Sequence, residues 1–72
     1  MSDKQFLEII EAACERHAGT ISMESLVSEI GMDSIALISL LAQLDGLLGR
    51  SVSADEISKA ETVREIFEIV LI

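Results

Sequence analysis

Cys14 and His17 are the two side chains of this sequence with the strongest potential for metal binding or nucleophilic chemistry, and they stand three residues apart. That spacing could supply two ligands to a metal ion, but the chain has no other cysteine or histidine with which to complete a site. A Cys–His nucleophile pair would also need a third group to orient the histidine. We therefore expect Cys14 to be a small core residue and His17 to pack against the following loop at the end of the first helix.

Asp33 and Ser34 offer a different kind of chemistry, because they stand at the start of the most apolar stretch of the chain. Asp33 is a typical helix N-cap, and Gly49 can close the same helix in a left-handed conformation. Ser34 would then present its hydroxyl in the first turn, at an exposed end of the molecule. The sequence has no Ser–His–Asp set, no gathered metal ligands and no glycine-rich phosphate loop, and we predict that the chain is not an enzyme.

The run Gly31-Met32-Asp33-Ser34-Ile35, followed by a long apolar helix, resembles the acyl carrier protein signature Gly-x-Asp-Ser-Leu/Ile. The resemblance covers essentially the whole chain, since one helix and a long linker precede the motif and two short helices follow it. It implies that Ser34 carries covalent 4′-phosphopantetheine, transferred from coenzyme A by a phosphopantetheinyl transferase. It also implies that Asp33, besides capping the helix, helps the transferase and its Mg²⁺ to engage the site.

The function that this resemblance implies is that of a carrier. Acyl intermediates would be held as thioesters on the arm and delivered to partner enzymes of fatty-acid or polyketide-type biosynthesis. Two alternatives stay open. An aminoacyl or peptidyl carrier of a nonribosomal-peptide-type pathway would share the fold, whereas an unmodified helical interaction module would use the helix without any attachment. The identity and chain length of the carried group, and whether the bundle shelters it, are left open by the sequence.

The predicted helix at about residues 34–48 is apolar on two sides. At about 100° per residue Ile35, Ile38 and Ala42 fall roughly opposite a stripe of five leucines. These are Leu37, Leu40, Leu41, Leu44 and Leu48. A chain this short cannot bury a helix all round, so the second side predicts a docking face for partner proteins. The predicted docking residues are Met32, Ile35, Ala36, Ile38, Ser39, Ala42 and Asp45. The alternative is that the outward isoleucines rest on the connection 18–32.

This predicted docking face carries little charge. The resemblance implies acids along this helix in fatty-acid carriers, but the matching positions here hold Ala36, Ser39 and Gly46, and only Asp45 is charged. Weaker charge attraction should slow the encounter with partners and leave specificity more to shape. We take this as a sign of a dedicated carrier in a specialised pathway.

The pattern of caps and apolar residues predicts an all-α fold, a four-helix bundle with three longer helices and one short one. A single carrier domain would span 1–72, with Ser2, Ser53 and Thr62 opening helices and Gly19 ending the first. Phe6 and Phe67, the only aromatic residues, should pack in the core. The predicted elements are helix I at about 3–17, loop 18–33 anchored by Ile21, Leu26, Val27 and Ile30, helix II at about 34–48, helix III at about 54–60 and helix IV at about 63–71.

Composition limits the function further. A net charge of −8 argues against nucleic-acid binding, which needs lysine and arginine against the phosphates. No apolar run reaches the ~18 residues of a membrane span. The N-terminus lacks the basic segment followed by an apolar segment that is typical of a secretion signal. One cysteine cannot form a disulfide within the chain. We expect a cytoplasmic monomer, and the Met1-Ser2 start favours a free-standing protein.

Overall fold

The computed structural model describes residues 1–49 and 51–71, and over these ranges the protein is an all-α bundle, as predicted. A single 3₁₀ turn, Val27–Glu29, lies in the long connection between the first two helices. The described part of the chain contains no strand. Its four α-helices are α1 (Asp3–Ala13), α2 (Ser34–Leu48), α3 (Ala54–Ser58) and α4 (Val63–Leu71).

Each helix begins at a residue whose side-chain oxygen accepts a hydrogen bond from a backbone N–H three positions later. The distances are 3.1 Å at Ser2, 3.3 Å at Ser53 and 3.3 Å at Thr62. Asp33 does the same for α2, whose far end is closed by Gly49 in the left-handed conformation with φ +67°. Local capping chemistry therefore sets where these helices start.

The first helix ends earlier than the sequence suggests, at Ala13 instead of about residue 17. The chain turns at Glu15, which has a left-handed φ of 55°, and the N–H of Arg16 then donates to the Glu11 carbonyl over 2.8 Å. His17 consequently lies outside the helix and is exposed, so the prediction that it is a packed residue at the helix end was wrong. The third helix also stops short, at Ser58.

The core is built mainly from aliphatic residues around one aromatic pair. Phe6 and Phe67 are both buried in the core, as predicted, and their rings lie 4.8 Å apart between centroids with a tilt of 47°. Leu40 and Leu44 bring α2 into the same core and are completely buried. The remaining buried members of this cluster are Ile9, Ile10, Ala13, Ile21, Met23, Ile30, Ile57, Val63, Ile66 and Val70.

The long connection from α1 to α2 is held at two places along its length. Near α1, the buried carboxylate of Glu11 accepts hydrogen bonds from the N–H groups of Gly19, at 2.8 Å, and Ile21, at 3.3 Å. Further along, backbone hydrogen bonds join residues 23–27 to residues 61–64. Met23 is buried here, whereas Leu26, predicted to anchor the connection, is 44% exposed and lies opposite Thr62 in an isolated antiparallel bridge.

Candidate functional site at the start of the second helix

Three hydrogen bonds and the conformation of one glycine shape the start of α2. Gly31 has φ +79°, a conformation that favours glycine, and its carbonyl accepts from the Asp33 N–H at 2.9 Å. Asp33 is extended, and its Oδ1 accepts from the Ala36 N–H at 2.8 Å. The Leu37 N–H donates to the Asp33 carbonyl at 2.9 Å, closing the first turn. The left-handed backbone conformation therefore explains the glycine of the motif, and the helix cap explains the aspartate.

Ser34 is the first helical residue of α2 and is exposed to solvent. Within residues 1–49 and 51–71, no group accepts a hydrogen bond from the N–H of Ser34 or of Ile35. Unpaired N–H groups at a helix N-terminus, together with the helix dipole, favour a negatively charged group nearby. A phosphodiester on the Ser34 oxygen would meet this environment without displacing any existing bond.

The end of α1 supports this turn from the other side. The Arg16 guanidinium donates from Nη2 to the Glu29 carbonyl at 2.9 Å and from Nε to the Ile30 carbonyl at 3.2 Å. These are the two residues immediately before Gly31. Arg16 therefore fixes the end of the connection at the point where the motif begins. From the sequence, Arg16 was expected only to favour the end of the first helix by its charge. Its role at the motif was not predicted, since its partners are backbone atoms that no side-chain pattern reveals.

Cys14 lies at the junction between α1 and the start of α2. It is partly buried, packs against the core and is a free thiol. Burial raises the pKa of this thiol, the charge of Arg16 lowers it, and the nearby Asp33 carboxylate raises it further. The thiol is therefore held in its neutral form near pH 7, which fits the expected role of a small residue beside the core.

A cleft of about 200 Å³ opens between the end of α1 and the start of α2. Both residues that flank Ser34 in the sequence, Asp33 and Ile35, line it, and so does Cys14. Its other lining residues are Ala13, Glu15, Gly31 and Ala36.

The structure separates the predicted docking residues into exposed and packed ones. Ile35 and Ile38 are 78% and 66% exposed and Ala42 is also exposed, so the isoleucines do not rest on the connection 18–32. Leu47, further along α2, is 56% exposed and was not predicted. Asp45 is exposed but accepts a hydrogen bond from the Val52 N–H at 3.1 Å, which ties it to the next linker.

Ala36, by contrast, is only 4% exposed, and its inclusion in the docking face was wrong. Ala36 precedes Leu40 and Leu44 by four and eight residues, so it lies in the same row on the side of α2 that enters the core. Met32 is partly buried and packs against the core cluster. Ser39 is half-buried and lies 3.3 Å from Gln43 Nε2, from which it accepts a hydrogen bond.

Two other classes of site find no support in the described residues. Residues 1–49 and 51–71 contain no group of three or more histidine, cysteine, aspartate or glutamate side chains that could hold a metal ion. Likewise, no helix in these ranges is long and apolar enough to cross a membrane.

The family model described as phosphopantetheine attachment site matches residues 4–70 of the chain. The chain therefore belongs to this family of carrier proteins, whose members attach 4′-phosphopantetheine covalently to a serine and are not themselves catalytic. Carriers of this family interact with a transferase and with synthase enzymes. A search among curated proteins found no significant match.

Proposed function

We propose that Ser34 is the serine to which 4′-phosphopantetheine is attached and that the protein carries acyl intermediates of fatty-acid or polyketide-type biosynthesis on this arm. The observation that carries the proposal is the exposed Ser34 hydroxyl in the first turn of α2, beside two backbone N–H groups that have no acceptor among the described residues. The other serine of this helix, Ser39, is half-buried and contacts Gln43.

In the loading reaction, Ser34 Oγ forms a bond to the phosphorus that bears the pantetheine in coenzyme A. The bond from that phosphorus to the bridging oxygen breaks, and adenosine 3′,5′-bisphosphate leaves with the electron pair. The serine proton passes to a base of the transferase. Asp33 holds the helix start through its Oδ1, and the Ser34 and Ile35 N–H groups favour the phosphodiester charge. When bound, the arm supplies a terminal thiol that holds acyl groups as thioesters.

The exposed side of α2 is the surface that we propose for partner enzymes. Ile35 and Ile38 give it two large apolar side chains close to Ser34, and no charged side chain lies on α2 before Asp45. An apolar patch of this kind gains its binding energy from burial and shape more than from long-range charge attraction. Met32, predicted to belong to this surface, is partly buried and packs against the core.

The experiment that tests the attachment is an intact-mass measurement after incubation with coenzyme A, Mg²⁺ and a broad-specificity phosphopantetheinyl transferase. We expect a single added phosphopantetheine on the wild-type chain and none on Ser34→Ala. Ser39→Ala is the matched control, since it removes a hydroxyl from the same helix and should load normally. No mass gain on the wild-type chain would favour the unmodified interaction module.

A second experiment, on the loaded protein, determines which class of group it carries. Acyl donors and aminoacyl donors are offered separately, each with its own loading enzyme, and thioester formation is followed by mass. Loading by acyl donors alone supports the acyl carrier. Loading by an adenylating enzyme with amino acids would replace it with the aminoacyl carrier, which has the same fold.

A further inference from the structure

The cleft between the end of α1 and the start of α2 is lined by residues on both sides of the proposed attachment serine in the sequence. Ser34 stands between Asp33 and Ile35 in the chain, and both of these neighbours line the cleft. A second cavity, of about 340 Å³, is formed by α1 and residues 18–21 and shares no lining residue with the first. Of these two cavities, only the first is therefore lined by the sequence neighbours of Ser34.

The lining of this cleft combines small apolar surfaces with carboxylates. Ala13, Cys14, Ile35 and Ala36 supply the apolar part, and Glu15 and Asp33 supply the acids. Such a lining suits a short branched apolar group that also carries hydrogen-bond donors. It does not suit a long acyl chain, because a cleft of about 200 Å³ is small and mixed in character.

The part of phosphopantetheine that follows the phosphate has this chemistry. Its pantoyl unit consists of a carbon with two methyl groups, a secondary hydroxyl and an amide. The methyl groups match the side chains of Cys14 and Ile35, and the hydroxyl and amide N–H can donate to carboxylate oxygens such as those of Glu15.

Covalent attachment makes even a weak contact effective. A group tethered a few bonds from its site has an effective concentration of about millimolar or more. A contact with a millimolar dissociation constant would therefore be roughly half occupied. On this basis we propose that the cleft between α1 and α2 receives the pantoyl part of the arm, an inference that depends on Ser34 being the attachment serine.

Cys14 provides a built-in reporter for this contact, because it is the only cysteine of the chain. The protein is loaded with a coenzyme A derivative in which the thiol is replaced by hydrogen, so that the arm brings no second thiol. Intact mass first verifies the attachment, and a failure at this step overturns the proposed function instead of the present inference. The rate of Cys14 alkylation by a maleimide is then measured at one pH before and after loading.

We expect loading to lower the alkylation rate at least about twofold, in line with half occupancy of the cleft. Ser34→Ala, treated in the same way, should keep the rate of the unloaded protein. Equal rates before and after loading of the wild-type chain would overturn the inference. The rates of amide hydrogen exchange at Gly19 and Ile21, which do not line the cleft, should not change on loading. If these rates fall as much as the alkylation rate does, loading stabilises the whole protein and the inference is contradicted.

A pair of matched variants tests the apolar wall of the cleft. Ile35 lines the cleft and Ile38 does not, while both are largely exposed and can be changed without disturbing the core. After loading, Cys14 of the Ile35→Ser variant should be alkylated faster than Cys14 of the loaded wild type. Cys14 of the loaded Ile38→Ser variant should be alkylated as slowly as that of the loaded wild type. The same behaviour in both variants would contradict the assignment of Ile35 to the arm's contact surface.

Discussion

The guanidinium of Arg16 binds the carbonyl oxygen of Ile30, with 3.2 Å between Nε and the oxygen, and thereby joins the end of α1 to the residue just before Gly31. A second hydrogen bond of 2.9 Å, to the Glu29 carbonyl, completes the contact. The position of the serine motif therefore depends on a residue that follows a different helix. This contact connects the packing of the bundle to the proposed attachment site at Ser34.

Arg16→Ala should slow loading of Ser34 while leaving the bundle folded. Loss of two hydrogen bonds at the surface should cost about 0.5–1.5 kcal/mol of unfolding free energy, and the looser motif should lower kcat/KM of the transferase several-fold. Loading rates and urea unfolding measure the two effects. Arg64→Ala is the control, since Arg64 pairs with Glu24 on the exposed surface. An unchanged kcat/KM in Arg16→Ala would refute the positioning role.

Asp33→Asn separates the observed capping role of Asp33 from its expected role in transferase recognition. Asparagine is also a good N-cap, so the variant should keep most of its stability, whereas Asp33→Ala should lose about 0.5–2 kcal/mol. If the carboxylate charge also serves the transferase and its Mg²⁺, both variants should load much more slowly than the wild type. Normal loading of Asp33→Asn would show that Asp33 acts only as a helix cap. Urea unfolding and transferase kinetics give the two readouts.

Glu11→Gln should destabilise the connection between α1 and α2. Two backbone N–H groups donate to one oxygen, Oε2, of this buried carboxylate, and the neutral amide oxygen of glutamine is a weaker acceptor than a charged carboxylate oxygen. We expect a loss of about 1–3 kcal/mol in unfolding free energy. Glu8→Gln, on the exposed side of α1, should change it by less than about 0.5 kcal/mol. Equal unfolding midpoints in urea for the two variants would contradict this account of the connection.

Ile38→Glu should leave the fold nearly unchanged and weaken the use of the loaded protein by partner enzymes. Ile38 is 66% exposed, so its replacement costs little packing, but a charge in the centre of an apolar contact must be desolvated on binding. We expect a several-fold rise in the KM of a partner enzyme for the carrier. Ala12→Glu places the same charge at an exposed position of α1 and serves as the control. If Ile38→Glu unfolds the protein, Ile38 belongs to the core.

Much of this arrangement could be predicted from the sequence because it depends on local chemistry. The caps at Ser2, Asp33 and Ser53 mark helix starts, and Gly49 marks the end of α2, since these residues act on backbone groups a few positions away. The apolar spacing also indicated that Ile35 and Ile38 lie opposite the leucine stripe. Both are exposed in the structure.

The features that the sequence did not reveal depend on contacts between distant segments. Nothing in the sequence marks Glu15 as a left-handed residue, and the end of α1 was consequently predicted too late. The bonds from Arg16 to backbone carbonyls leave no side-chain pattern. Ala36 is small enough to suit either side of a helix, and only the packing of α2 against the bundle assigns it to the core.

The most direct test of the central claim is to locate the added group on the loaded protein by peptide fragmentation that separates Ser34 from Ser28 and Ser39. The account predicts that all of the added phosphopantetheine mass lies on Ser34. Attachment at any other serine, or loading that persists at full yield in Ser34→Ala, would contradict it.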